Sequence, residues 1–317
     1  MNQINRIIKH IKKAPKIALF HHINPDGDSL SCSYGLLLAL KQKYPKKEIV
    51  LVGDKKSFKT SFPFLDINYR YFKSKIDNSY LAIIGDTSVS ERIACFKEFV
   101  KAKYKICFDH HQNKHNVAYD VFWQASLYPA STMQAIEIIK KMKINLNENI
   151  SFFLLIGLLT DTGNFVFSLA NPIPPLYYSQ LLQKVSDEKM NNFFNSFRQR
   201  TMQDVELQKE FLNAIKFSGK VAYVVFDKQK VMRYPNVDYK RLVNLIGNIE
   251  KYPIWALFIY NQELDGQETW KLHFRSNGPK VSDVAIKLGG GGHYRAAGAK
   301  VPSSITVDDI VQKLNKL

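Results

Sequence analysis

The sequence predicts an α/β protein: an N-terminal doubly wound, mostly parallel sheet, a helical linker, and a smaller C-terminal α/β domain. Three observations predict it. The apolar runs "KIALFHH", "EIVLVG", "LAIIGD" and "YKICFDHH" are short and end in polar residues, as strands buried on both faces of a parallel sheet do. Helical patterns separate them, and strand alternating with helix is the signature of a doubly wound sheet. A second strand-and-helix pattern begins near residue 215, and a 317-residue chain, 45% hydrophobic and 13% aromatic, is long enough for two cores.

Taken in order, residues 4–13 read as a short basic helix and 16–22 as the first strand. The pattern "LSCSYGLLLALKQKY" predicts a helix over 30–44, "SVSERIACFKEFVKA" one over 88–102, and "ASTMQAIEIIKKMK" one over 130–143. Residues 149–161, apolar nearly all round, predict a buried helix ending in Asp161. Polar helical sequence then continues through 186–212. Strands are expected in "KVAYVVFD", "YPIWALFIYN" and "WKLHFRS", helices in "YKRLVNLIGNIE" and "VSDVAIKL", and a loop in "GGGGHYRAAG". The domains are thus read as 1–187 and 215–317, with 188–214 as the helical linker.

Composition narrows the function classes. Lys and Arg number 45 against 28 Asp and Glu, a formal +17, which favours an anionic partner such as a nucleotide, a nucleic acid or a membrane surface; lysine-rich solvated faces give the same number. Three cysteines without C-x-x-C spacing argue against a disulfide framework or a structural zinc site and suit a reducing compartment. The basic start lacks an apolar stretch of secretory type, and the run "FFLLIGLL" is too short to span a bilayer, so the expectation is a cytoplasmic protein with no membrane partner.

Acid and imidazole groups recur at the ends of strands or helices: His22, Asp26 and Asp28; Asp86 in "IIGDTS"; Asp109, His110 and His111 in "CFDHH"; and Asp161 in "LLTDTGNF". A strand-terminal Asp caps a following helix more often than it binds a metal, and Asp86 before "TSVSER" fits that role as well. Four such groups at the carboxyl edge of one sheet point instead to a shared cation site. Carboxylates with imidazoles and no thiolate suit Mn²⁺, with Mg²⁺ or Co²⁺ as substitutes. Six ligands exceed what one catalytic ion with open positions needs, so two ions sharing a carboxylate fit better, the arrangement used for displacement at phosphorus.

"HINPDGD", Asp86, "DHH" and the Asp of "TDTG" resemble, in order, the four motifs of the DHH phosphoesterases, and "GGGGHYRAAG" resembles the substrate-binding motif of the DHH-associated C-terminal domain. The resemblance implies that His22 and Asp26 hold one Mn²⁺, that Asp28, His110 and Asp161 hold the other, and that Asp86 bridges them. It implies a catalytic role for His111, on the scissile phosphate or as the acid for the leaving group, with Asp109 orienting a neighbouring imidazole. Arg275, Ser276, Gly290, Gly291, Gly292 and His293 would bind substrate, glycines admitting an anion close to backbone N–H groups. One departure stands out: Ser31 and Cys32 occupy positions where the family commonly has Gly and then Ser.

The two-domain architecture is similar to the nanoRNase/pAp-phosphatase branch. That implies hydrolysis of very short oligoribonucleotides to mononucleotides and of pAp to AMP, with short RNA and nucleotides as partners and a homodimer as an allowed assembly. A soluble phosphodiesterase acting on cyclic-di-AMP or linear pApA is the alternative.

Overall fold

The four apolar runs of the N-terminal half form parallel strands β1 (Lys16–Phe20), β2 (Glu48–Val52), β3 (Tyr80–Gly85) and β4 (Tyr104–Asp109), and a short fifth strand that the runs did not announce, β5 (Val121–Gln124), joins them in the order β2-β1-β3-β4-β5. Alternate residues serve the two faces. Ile17, Leu19, Leu81, Ile83, Ile106 and Phe108 join one core with helices Gln3–Lys13, Leu36–Lys43, Ser131–Lys141 and Glu148–Asp161. Ala18, Phe20, Ala82, Ile84 and Cys107 face a second core around Phe99. The order reverses between β1 and β3, and the crevice beyond the carboxyl ends of strands at such a reversal is where open α/β sheets bind ligands.

The computed structural model describes residues 2–317 apart from 113, 167–171, 236, 238 and 264, and the chain divides into two units, Met1–Arg198 and Gln199–Leu317. The stretch read as a linker is shared between them. Helix Asp187–Arg198 adds Met190 and Phe193 to the first core, while helix Met202–Asn213 starts at a Thr201/Asp204 capping box and packs Leu207 and Phe211 into the second unit.

Four local expectations differ from the structure. The expected helix over 88–102 is reduced to a 3₁₀ turn, Ser90–Arg92, and one α-turn, Phe96–Phe99. The main chain pairs instead with the exit of β1, through Ile23 N to Arg92 O at 2.7 Å and Ala94 N to His21 O at 3.0 Å, and Cys95 is left-handed at φ +56°. Long-range pairing here outweighs helix propensity. The expected helix over 239–250 is a 3₁₀ run, Tyr239–Ile246, and the expected loop 289–298 is largely a hairpin. Within the expected helix 30–44, residues Ser31–Gly35 form a π-helical turn between α-helices Gly27–Leu30 and Leu36–Lys43.

The second unit holds a mixed sheet of β6 (Lys216–Ser218), β7 (Val221–Phe226), β8 (Ile254–Gln262), β9 (Glu268–Ser276), β10 (Gly291–His293) and β11 (Ala296–Pro302), ordered β10-β11-β9-β8-β7-β6. One face, with Ile254, Phe258, Leu272 and Phe274, is covered by helices Ser282–Lys287 and Val307–Asn315. The other face is covered over β7 and β8 by helix Met202–Asn213 and the 3₁₀ run, through Trp255, Leu257 and Ile259.

Candidate active site

The site begins where each strand stops. β1 exits into His22, whose Nδ1 donates to Ile23 O at 2.9 Å and whose backbone N donates to Ser29 Oγ at 3.1 Å. That bond fixes the tautomer and turns Nε2 toward Asp86 Oδ2 at 3.3 Å and Asp26 Oδ2 at 3.5 Å. Asp26 also caps helix Gly27–Leu30 through Ser29 N.

β3 exits into Asp86, held at φ +68° by its N–H on Phe108 O, a conformation uncommon outside glycine. No full helix follows for it to cap, and its carboxylate turns inward to His22, to His110 Nε2 at 3.5 Å and to His111 Nδ1 at 3.7 Å. β4 ends in Asp109, whose Oδ1 accepts from His111 N at 3.0 Å and His111 Nδ1 at 2.8 Å. His110 donates Nδ1 to Tyr128 O at 3.2 Å, and its Nε2 lies 3.4 Å from Asp161 Oδ2.

Asp28 is fully buried, and the beginning of helix Ser131–Lys141 supplies its partners: Ser131 N to Oδ2 and Thr132 N to Oδ1, both 2.7 Å, with the Thr132 hydroxyl adding to Oδ1. That helix has Ala130 at its N-cap and no local side-chain cap, so a carboxylate more than a hundred residues earlier does the capping. Ser131 also accepts from His110 N at 3.1 Å. Sequence reading passed over Ser131, Thr132 and Ser29; the "AST" ahead of a helical pattern is the signal that marks the first two.

These residues therefore gather into overlapping acid/imidazole groups. His22, Asp26 and Asp86 present ligand atoms within 4.8 Å of one another, as do Asp28, His110 and Asp161, and Asp86, His110 and His111. The electrostatics are those of a cation site. Burial, then Asp86 and Asp161, push Asp28 well above the carboxylate range, and burial with Asp86 raises Asp161 to about 7. For Asp86, burial is outweighed by His110 and His22, which hold it well below its ordinary value. Burial would lower His22 and His110, but Asp26 and Asp86 for the one, and Asp86, Asp28 and Asp161 for the other, raise each to about 10.

The donor set fits a divalent ion: His22 Nε2 and Asp86 Oδ1 are buried without a hydrogen bond, and all ligands are N or O. Cys32 Sγ lies 4.0 Å from Asp28 Oδ1, but burial and the neighbouring carboxylates hold the thiol protonated, so it does not compete. A cation entering this site displaces the protons that the histidines hold. Apparent Mn²⁺ affinity is therefore expected to rise by about tenfold or more per pH unit between about pH 6.5 and 7.5. Calorimetric titration at both values checks this, and an affinity indifferent to pH would show that the imidazoles are not ligands.

In the second unit, Arg275 lies on β9, with Nη1 donating to Phe274 O at 2.8 Å. Directly opposite it on β11 is Ala296, and opposite Ala296 on β10 is His293, so Arg275 and His293 share one sheet face with a methyl group between them. Ser276 is on the buried face, its hydroxyl committed to Pro279 O at 2.5 Å. The glycine run divides by use. A Cβ on Gly292 would lie 2.6 Å from Ala296 O, and one on Gly290 would collide with Gly298 O, so these two permit the hairpin. Gly291 has open space where its side chain would be.

Comparison with known proteins agrees with this geometry. Residues 16–158 match the DHH family, N-terminal domain, and residues 219–317 match the DHHA1 domain. A bifunctional oligoribonuclease and PAP phosphatase NrnA from Mycoplasma genitalium is 31% identical over 97% of this chain and 95% of its own length. The protein of the same name from Mycoplasma pneumoniae is 28% identical over 99% and 96%. An exopolyphosphatase-related protein from Bacteroides fragilis has the same fold, with a TM-score of 0.78 at 20% identity over 99% of this chain and 94% of that one.

Proposed function

The chain belongs to the DHH family and is a DHH-family phosphoesterase, and from that premise we propose that it hydrolyses very short oligoribonucleotides to mononucleotides and pAp to AMP. The observation that carries the reading is Asp86, one carboxylate in contact with imidazoles of separate acid/His groups. In this reading His22 and Asp26 would hold one Mn²⁺, Asp28, His110 and Asp161 would hold the other, and Asp86 would be shared between them. Ions held there would supply activation of water and compensation of charge on the phosphoryl oxygens.

The remaining work belongs to side chains. Asp109 keeps the His111 proton on Nδ1 and orients the ring, as in other carboxylate–imidazole pairs. His111 Nε2 then delivers a proton to the departing oxygen or steadies the phosphate. Arg275 grips a phosphate or stacks on a base, with His293 across the Ala296 gap. Two buried and one exposed free cysteine suit a reducing cytoplasm, and among the described residues no helix is long and apolar enough to cross a membrane.

The test is phosphate release from pAp with Mn²⁺ and with EDTA, followed by a rate series on pAp, pApA, cyclic-di-AMP and two- to five-nucleotide RNAs. The reading requires turnover with Mn²⁺, none with EDTA, and the highest kcat/KM on pAp and two- to four-nucleotide RNAs; a preference for cyclic-di-AMP would replace the substrate assignment. Arg275→Ala or His293→Ala is expected to raise KM for nucleotides about tenfold or more while sparing Mn²⁺ binding and slow hydrolysis of bis-p-nitrophenyl phosphate. Equal losses on nucleotide and small ester would mean that these residues serve the fold.

A further inference from the structure

We infer that the partly covered face of the second sheet carries a further nucleotide subsite, in which Lys271 and His273 bind the next phosphate of a short RNA strand beyond Arg275 and His293. The inference rests on the phosphoesterase reading above and adds the means by which length is measured. Along β9, Lys271, His273 and Arg275 alternate with the buried Leu272, Phe274 and Ser276 and so share one face. Their neighbours on β8, Ile259, Leu257 and Trp255, are buried, but Lys271 is exposed and His273 and Arg275 are half-buried, so the cover that is complete over β8 is only partial over β9, which the 3₁₀ run still approaches.

Register then sets out three rows on that face: Arg275, Ala296 and His293; His273, Gly298 and Gly291; and Lys271 with Lys300. The rows repeat every two residues, about 6.8 Å apart, a step comparable to one nucleotide of an extended strand. The floor of the middle row is made of glycine. A Cβ on Gly298 would lie 2.5 Å from Leu272 O and 3.7 Å from His273 Nδ1, and Gly291 faces open space, so a phosphodiester can approach the peptide groups closely.

Charge and shape choose the occupant. Lys300 pairs with Glu263 at 3.1 Å and Lys271 also lies within reach of that carboxylate's charge, so two lysines against one acid leave the outer row net positive. Lys271 and His273 also border a cavity of about 290 Å³ lined by Tyr234, Tyr239, Tyr260 and Asn261. Basic groups beside the rings of Tyr234 and Tyr239 match a nucleobase joined to its phosphate; a bare polyphosphate would have no use for the rings.

The experiment measures binding of fluorescein-labelled, phosphorothioate-linked oligoadenylates of two and four nucleotides to the Mn²⁺-loaded protein. Wild type is expected to bind the tetramer about tenfold tighter than the dimer. Lys271→Ala and His273→Ala should shrink that advantage to about twofold, Lys271→Arg should keep it, and the log–log salt slope of tetramer binding should fall by about 0.7 for the lost phosphate contact. Variants that retain the full advantage, or a wild type that shows none, overturn the inference. Failure of the underlying substrate reading would show separately, as wild-type enzyme that releases no phosphate from pAp.

Discussion

Asp86→Ala is expected to reduce turnover of pAp and of RNA dinucleotides by about three orders of magnitude or more, because on the proposed reading one substitution removes the carboxylate shared by two of the acid/imidazole groups. The carboxylate is 2% exposed and meets His22 at 3.3 Å and His110 at 3.5 Å, so no neighbouring side chain can stand in for it. The fold should persist. Removing one carboxylate from a cluster that already contains Asp26, Asp28 and Asp161 relieves repulsion as well as costing attraction. Metal analysis should show the loss of one ion or both, with a cooperative transition kept at a lower melting temperature because His22 and His110 lose a buried partner. Asp86→Asn, which keeps the shape but not the charge, should behave like the alanine variant. Full activity in either would sink the two-ion reading.

The second large effect is expected from Gly157→Ala, a change far from any ligand in kind but not in space. A Cβ at Gly157 would collide with Thr132 Oγ1 and lie 2.5 Å from Ser31 Oγ. Three helical segments meet there, and two of the crowded groups have duties: Thr132 holds Asp28, and the Ser31 hydroxyl bonds Phe153 O. Relief requires the helices to move apart, at a cost of about 2–3 kcal/mol, or about 5–10 °C in melting temperature for a unit of this size. Because Asp28 depends on the same contact, Mn²⁺ affinity should fall along with stability. A variant with wild-type melting and metal affinity would show that this three-way contact is slack.

What the sequence determined by itself is the part of the protein whose cause is local. A strand buried on both faces must be apolar throughout, so β1, β3 and β4 are legible as runs, and the polar residue that ends each run is legible as a group at the sheet edge. That is why His22, Asp86 and Asp109 to His111 could be named as one cluster. The Arg275 and His293 motifs were legible for the same reason, as charged residues beside a strand end and a glycine run.

What only the tertiary structure decided depends on partners distant in the chain. The sequence shows Asp28, but not that the first turn of a helix at Ser131 and Thr132 closes over it. It shows "SVSERIACFKEFVKA" as a helix, because the pattern cannot anticipate that Ile93 will pair with His22 beside β1. It offers four glycines in a row with no means of telling which two admit a hairpin and which two face open space. The physical reason is common to all three. Periodicity records the environment of a residue averaged over its own element, whereas register, close approach and the sharing of one carboxylate by several imidazoles are set by the element packed against it.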